Sequence, residues 1–352
     1  MSTNKSTWKK LTSMRLFMPL VCLLAIIIVA TITIPGFLSM SLKNGVPYGY
    51  PVDVINRASE LVILSVGMTL VTAASGGQDI SVGAVMAVAG AVCCQILSGG
   101  EVSVNSLSAP IIVAFLAALV ASGICGAFNG FLVAKLNIQP MVATLILYTA
   151  GRGIAQLITD GQITYIRVKS YQVFGSYVGK FPIPMPVVIA IIVVIIAYVI
   201  LKKTALGLYI ESVGINGTAS RLNSTMIKFL TYLICGVLAG VAGFVASSRI
   251  YSADANNIGL NLEMDAILAV ALGGNALGGG KFSLMGSVIG AYTIQALTTV
   301  LYGLNVSADQ LPVYKAIVVV VIVVLQSPVF KKFIAVQKEK RTSKAAVKGG
   351  AN

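Results

Sequence analysis

The sequence has 352 residues, of which 57% are hydrophobic and 10% are charged, and its formal net charge is +14. A soluble domain typically carries about a quarter charged residues, so the composition excludes a soluble enzyme or binding module and indicates a polytopic membrane protein. Histidine is absent and all five cysteines lie in apolar stretches, where cysteine behaves as a small hydrophobic side chain. We therefore expect no histidine-based catalysis, no metal site and no cofactor.

Ten apolar stretches approach the roughly 20 residues that a helix needs to cross a bilayer. In chain order they are Leu16–Thr33, Val54–Ala74, Ile80–Leu97, Ile111–Ala134, Met141–Ile158, Met185–Leu201, Phe229–Ala246, Met264–Gly274, Ser283–Leu304 and Leu311–Leu325. They predict an all-α polytopic membrane protein with about ten transmembrane helices. The second stretch is apolar only from Leu61 onward and the eighth is short. Each ends in a glycine pair, so we expect half-length helices there, which are tolerated at membrane depth when protein covers the backbone.

The basic residues predict the orientation, because cytoplasmic loops are enriched in lysine and arginine. An even number of spans places both termini in the cytoplasm, as a basic amino terminus (1–15) and a basic tail (329–352) that flank a transmembrane domain (16–328). The internal basic residues on that side are Lys135, Lys202, Lys203, Arg221, Lys228 and Lys281. The acidic residues expected on the other side are Asp53, Glu101, Asp160, Asp254, Glu263 and Asp309. This distribution indicates attraction to membrane lipid and not to nucleic acid.

The stretch "ALGGNALGGGKFS", from Ala271 to Ser283, looks at first like a phosphate-binding loop. A Walker motif requires a glycine five residues before the last glycine, and a serine or threonine after the lysine to hold Mg²⁺. Asn275 occupies the first position and Phe282 the second. The stretch is therefore interpreted as a tight turn between two spans, and not as a nucleotide site.

The segment Thr204–Ser224 is the longest internal loop on the predicted cytoplasmic side, and its pattern is helical with interruptions at Gly207, Gly214 and Gly217. Composition alone leaves two interpretations open. The segment is either an ordinary connector or a docking helix that presents small residues and Arg221 to a cytoplasmic partner.

Polar residues at membrane depth are costly unless they are paired or face a cavity. Asp79 either caps the third span or contributes to a gate, and Asn129 and Gln156 either bond neighbouring helices or line a translocation path. For Arg152 we favour a structural pairing, or snorkelling toward the outer face, over a contact with a sugar. No two carboxylates are placed to share a face, since Glu263 and Asp265 are two residues apart on a helix, so an intramembrane enzyme is disfavoured.

The chain resembles the membrane permeases of bacterial sugar ATP-binding-cassette importers of the ribose, galactoside, xylose and arabinose type. Four segments carry the resemblance, in the family's order: "GGQDISVGAVMAVAGAV", "NGFLVAKLNIQPMVATLILYTAGRGIAQLIT", "KTALGLYIESVGIN" and "LEMDAILAVALGGNALGGGKFSLMGSVIGA". Within the family the chain is most similar to the galactofuranose importer permeases, through "VDVINRAS", "GMTLVTA" and "GRGIAQLITDGQI". Gln78 departs from the pattern, because many relatives carry isoleucine there.

The resemblance implies the inner membrane of a bacterial cell and a chain that does not itself hydrolyse ATP. The implied partners are a cytoplasmic ATPase subunit, a second permease chain in a homodimer or a paralogous heterodimer, an extracytoplasmic sugar-binding protein and a monosaccharide such as galactofuranose, ribose, arabinose or fructose. It favours the docking interpretation of the loop, with coupling residues Glu211, Gly214, Asn216, Gly217, Ala219 and Arg221. The main alternative is an ion-coupled secondary transporter of a small polar solute, which usually displays ionisable residues near the midplane; here most acids lie near the ends of spans.

Overall fold

The computed structural model describes residues 16–43, 45–179 and 181–326, and the predicted basic terminus (1–15) and tail (329–352) lie outside them. The described chain is mostly helical. The helices are α1 Phe17–Thr33, α2 Tyr50–Ser75, α3 Val82–Ser98, α4 Ile111–Gly130, α5 Pro140–Ile158, α6 Lys169–Gln172, α7 Met185–Lys203, α8 Leu206–Ile215, α9 Ser224–Ile250, α10 Leu262–Leu272, α11 Leu284–Gly303 and α12 Leu311–Gln326. The strands are β1 Ser41–Lys43, β2 Val46–Tyr48, β3 Ser103–Val104, β4 Thr164–Ile166 and β5 Ser252–Ala253.

Each of the ten predicted spans coincides with a helix, as their apolar composition predicts. Six helices are long and apolar enough to cross a membrane: α2, α4 together with the π-helical turn Phe131–Lys135 that continues it, α5, α7, α9 and α11. The apolar helices α1, α3, α8 and α12 are shorter. The mainly helical fold is confirmed, whereas the count of ten crossings and the position of the termini stay predictions.

The prediction of two half-length helices is wrong for the second span and right for the eighth. α2 is one continuous helix of 26 residues, about 39 Å long at 1.5 Å per residue. α10 has 11 residues and measures about 16 Å, which is half of a bilayer core. An irregular segment, 254–261, leads from β5 into the molecule, where Gly259 packs against Gly83 of α3.

The core of the first compact unit, which extends to Val300, consists of α2, α3 and α9. α3 is buried along almost its whole length, and α9 approaches α4 so closely that Gly126 and Gly236 pack backbone against backbone. Small residues drive such contacts between membrane helices because they let the backbones come together. By contrast, α1, α4 and α7 expose leucine, isoleucine and valine side chains. In the second unit, α12 exposes an apolar face of Val313, Ile317, Val320 and Val324.

Two ends of the first unit can be defined by their secondary structure. At the sheet side, β4 pairs in parallel with β3 and antiparallel with β5. At the glycine-loop side, the loop after α2 (residues 76–81) and the loop after α10 (residues 273–283) pack on one another, with Gly76 against Gly278. The sheet side and the glycine-loop side serve as reference points for the positions of the candidate residues.

Candidate functional site

The first part of the candidate site is α8, which contains the first of the predicted coupling residues. Gly207, Ile210 and Val213 form its buried face, and Leu208, Ser212 and Ile215 form its exposed face. Leu208 is 68% exposed and Ile215 is 64% exposed. An apolar face of this kind on the glycine-loop side is a surface that another protein subunit can cover.

Gly214 lets α8 pack closely against the core of its own chain. A Cβ atom at Gly214 would overlap the carbonyl oxygen of Ala73 in the last turn of α2. The same carbonyl accepts a hydrogen bond of 2.9 Å from the amide of Gly280. The absence of a side chain at Gly214 is therefore explained by packing within this chain, and the coupling role assigned to this residue stays a prediction.

The remaining coupling candidates form a turn between α8 and α9. The side-chain oxygen of Asn216 accepts hydrogen bonds from the amides of Thr218 and Ala219, at 3.1 and 3.0 Å. Arg221 is exposed and has a φ of 55°, a left-handed conformation that non-glycine residues rarely adopt. Gly217 has only ordinary van der Waals neighbours, the nearest 3.5 Å from a Cβ atom at that position. The turn is thus ordered by Asn216 and presents Ala219 and Arg221 outward.

Glu211 points away from this turn. One carboxylate oxygen accepts a long hydrogen bond, 3.5 Å, from the amide of Phe282 in the loop after α10. The residue is half-buried and lines a groove between α7, α8 and the start of α11. Glu211 therefore contacts the glycine-loop side of the chain itself.

Asn275 organises the loop that superficially resembles a Walker motif. Its amide nitrogen donates to the Val270 carbonyl, the Ser283 carbonyl and the Ser287 hydroxyl, at 3.2, 3.3 and 2.8 Å. Its oxygen accepts the Ser283 amide at 2.6 Å, and Ser287 lies 2.6 Å from the Thr69 hydroxyl of α2. The loop is thus closed by a side chain where a phosphate cradle needs open backbone amides.

Gln78, the departure from the family pattern, joins the two loops of the glycine-loop side. Its side-chain nitrogen donates a hydrogen bond of 3.2 Å to the carbonyl of Leu277. An isoleucine at this position could not donate that bond. The substitution therefore adds one polar contact between the loop after α2 and the loop after α10.

Asp79 and Asn129, both candidates for a gate or a translocation path, lie next to each other. Asp79 is buried, and one carboxylate oxygen accepts the Ser81 amide at 2.9 Å and the Ser81 hydroxyl at 2.6 Å. The Asn129 amide nitrogen donates to the Ser81 hydroxyl at 2.8 Å and lies 3.4 Å from both Asp79 oxygens. Asp79 thus orders the turn before α3 and connects it to the end of α4; a gating role for the pair stays a prediction.

Helix α5 has two contrasting faces, and Gln156 lies on the exposed one. The buried face consists of Ala143, Thr144, Leu147, Gly151 and Ala155. The exposed face carries Thr149, Gly153, Gln156 and, just beyond the helix, Asp160, spaced four, three and four residues apart, which places them on one stripe. A shallow groove of about 550 Å³ lies beside the second half of α5, where Gly153, Gln156 and Asp160 line it together with Ala150, Ile154, Leu157 and Gly161. A Cβ atom at Gly153 would have no neighbour within 4 Å.

Arg152 has a structural partner, as the sequence favoured. One guanidinium nitrogen donates to the carbonyls of Ala255, Asn256 and Ile258, at 3.0, 3.0 and 3.2 Å. These carbonyls belong to the irregular segment 254–261, which consists of turns and not of a continuous helix. Non-helical backbone inside a membrane must be satisfied by protein, and Arg152 performs this function.

Replacing Arg152 with alanine is expected to destabilise the chain by about 3 kcal/mol, because three carbonyls of segment 254–261 lose a charged donor. Thermal melting of the full-length chain in detergent measures the effect. Arg167→Ala is the matched control, since Arg167 is exposed at the sheet side. Equal melting temperatures for both variants would show that segment 254–261 does not depend on Arg152.

Glu263, which the sequence placed on the non-cytoplasmic side, lies inside the molecule. Its side chain is only 1% exposed, because α10 begins inside the molecule and not at the sheet side. A Cβ atom at Gly83 would overlap its carboxylate. By contrast, Asp53, Glu101, Asp160 and Asp254 adjoin the sheet-side ends of α2, β3, α5 and β5, and their placement outside the cytoplasm stays a prediction.

Comparison with known proteins gives the family. Residues 50–326 match the family model described as "Branched-chain amino acid transport system / permease component". The chain is 44% identical over 326 residues to the galactofuranose transporter permease protein YtfT of Escherichia coli (strain K12), covering 92% of each chain. It is 38% identical over 351 residues to the fructose import permease protein FruF of Bifidobacterium longum (strain NCC 2705), covering 97% of this chain and 96% of the relative.

The ribose import permease protein RbsC of Escherichia coli (strain K12) is 35% identical over 315 residues, covering 88% of this chain and 92% of the relative. No solved structure matches the chain significantly. The family match covers nearly all of the described helices, and the resemblance found in the sequence motifs is confirmed. The chain therefore belongs to the family of transport-system permease components that includes these sugar import permeases.

Proposed function

We propose that the chain is the translocation subunit of an ATP-driven importer for a monosaccharide in a bacterial inner membrane. The relatives support a sugar, since their names specify galactofuranose, fructose and ribose as what those proteins transport. The observation that carries the proposal is α8, which exposes an apolar face while Gly214 fixes it to the core. A helix built this way transmits force from a docked subunit to α2.

ATP hydrolysis belongs to a separate cytoplasmic subunit in this proposal. The glycine-loop side is the cytoplasmic side, because Lys135, Lys202, Lys203, Lys228 and Lys281 adjoin it and positive residues are retained on the cytoplasmic face. The exposed residues of α8 and of the turn after it, namely Leu208, Ser212, Ile215, Ala219 and Arg221, form the docking surface. The binding protein delivers the sugar to the sheet side.

The exposed stripe of α5 lines the translocation path. A helix that faces lipid throughout would gain nothing from Thr149, Gly153 and Gln156 on its exposed face, because polar groups in hydrocarbon are costly. A second permease chain covers this face, and the sugar moves between the two copies of α5. Gln156 and Asn256, joined by a hydrogen bond of 2.8 Å, offer the amide groups that bind sugar hydroxyls.

The ion-coupled carrier is not favoured, although one argument against it is weaker than the sequence suggested. Glu263 is buried inside the molecule, so not all acids lie near the ends of spans. The relatives nevertheless are permeases named for sugar import or transport. They outweigh the three buried carboxylates, those of Asp79, Glu263 and Asp265.

The test is uptake into vesicles that contain the permease together with its ATPase, with the binding protein outside. Labelled galactofuranose, fructose and ribose are offered in turn, with ATP supplied on the ATPase side. We expect uptake of at least one sugar that requires ATP and the binding protein. Uptake driven by an ion gradient without the ATPase would overturn the proposal in favour of a carrier.

Ile215→Glu is expected to reduce the amount of ATPase that co-purifies with the permease at least tenfold. The change places a charge in the centre of an apolar docking face, and an unpaired charge buried at an interface costs several kcal/mol. Val102→Glu is the control, because Val102 is 47% exposed and lies at the sheet side. Normal assembly and normal uptake of the Ile215 variant would show that coupling occurs elsewhere.

A further inference from the structure

A groove of about 490 Å³ opens at the glycine-loop side between the end of α7, the start of α8 and the start of α11. Its apolar walls include Tyr198, Leu201, Leu284 and Met285. It also contains two side chains of opposite charge, Lys202 and Glu211. The groove is separate from the exposed stripe of α5.

The apolar walls continue into an exposed apolar surface of α7. Tyr198 is 44% exposed and Met285 is 39% exposed. One turn earlier on α7, Ile195 is 56% exposed, so no polar rim separates the groove from the hydrocarbon region. A molecule that fills the groove from this direction must therefore have an apolar tail.

The two charges define the other end of the same molecule. Lys202 is the penultimate residue of α7, at the level where a membrane helix meets the lipid headgroups. Among the described residues no ion pair joins Lys202 to Glu211, although both line the groove. A headgroup with a phosphate and an ammonium group complements this pair, because each charge then meets one of opposite sign.

We propose that this groove binds a phospholipid whose headgroup carries a primary ammonium group, as in phosphatidylethanolamine. The phosphate lies at Lys202, the ammonium group donates hydrogen bonds to Glu211, and an acyl chain lies against Leu201, Leu284 and Met285. Choline headgroups cannot donate these hydrogen bonds, and glycerol headgroups have no positive charge. The bound lipid stabilises the junction between α7 and α8, next to the helix that exposes Leu208 and Ile215.

Native mass spectrometry of the full-length chain, with phosphatidylethanolamine, phosphatidylcholine or phosphatidylglycerol added in turn, tests the proposal. We expect one tightly bound phosphatidylethanolamine and weaker binding of the other two lipids. Lys202→Gln should weaken its binding about fivefold, from roughly 1 kcal/mol per lysine at a membrane surface. Glu211→Gln should remove the preference for phosphatidylethanolamine over phosphatidylglycerol.

Lys135→Gln is the matched control, since Lys135 is an exposed lysine at the same side of the molecule, at the end of the π-helical turn after α4. It should leave lipid binding unchanged. Met285→Trp fills the groove without changing any charge and should lower binding. Equal losses for Lys202→Gln and Lys135→Gln would overturn the proposal as a general charge effect, and equal binding of all three lipids, or no effect of Met285→Trp, would overturn the assignment of the groove.

Discussion

Gly214→Ala is expected to lower the free energy of unfolding by about 3 kcal/mol, the upper end of the range for an overpacked core, and to abolish sugar uptake. The added methyl group has no space, because the Ala73 carbonyl occupies its position and the Gly280 amide lies 2.6 Å away. Both neighbours are backbone atoms, which cannot rotate aside as a long side chain can. Thermal melting and vesicle uptake measure the two effects.

Gly217→Ala is the matched control for this prediction. It lies three residues further along the chain, and the nearest atom to a Cβ at Gly217 is 3.5 Å away, an ordinary contact. We expect its melting temperature to equal that of the unmodified chain. If Gly214→Ala melted normally but lost the ATPase, the small residue would serve docking and not internal packing.

Gly153→Trp is expected to reduce uptake at least tenfold while the chain folds normally and still binds its ATPase. The indole has room within a single chain, because no atom lies within 4 Å of a Cβ at Gly153. In the assembled transporter the same indole would project from α5 into the proposed path. The measurements are uptake, thermal melting and co-purification of the ATPase.

Ile192→Trp provides the comparison, since Ile192 is 50% exposed on α7, among other exposed apolar side chains. We expect full uptake from this variant. Full uptake from Gly153→Trp as well would mean that the stripe of α5 faces lipid and that the path runs elsewhere in the molecule.

The helices could be predicted because lipid and the protein interior both favour apolar side chains. A membrane helix is therefore hydrophobic in sequence whether its side chains face lipid or other helices. The length of α2 could not be predicted in this way. The residues before Leu61 include Asn56 and Glu60, and their polarity led us to expect a half-length helix. Arg249 of α9 bonds both, to the Asn56 carbonyl and to the Glu60 carboxylate at 2.9 Å each. The partner lies about 190 residues away in sequence, where no local pattern reveals it.

The candidate site was predicted only in part, for a similar reason. The loop pattern predicted the helix α8, and Asp79 and Asn129 were each identified as candidates, but the sequence did not predict that their side chains meet. The sequence did not indicate that Gly214 faces inward, since a glycine that fits against another protein and one that fits against Ala73 look the same. Asn275 was recognised only as a missing glycine, and its four hydrogen bonds depend on a loop geometry that the sequence does not show.

The short α10 affects whether the number of membrane crossings is counted as even or odd. The chain enters segment 254–261 from β5 at the sheet side and leaves α10 at the glycine-loop side, so an irregular half and a helical half together make one complete passage. A count that accepts only helices of full length omits this passage. Every later residue would then be assigned to the wrong compartment, including Lys281, and an even number of crossings would become odd.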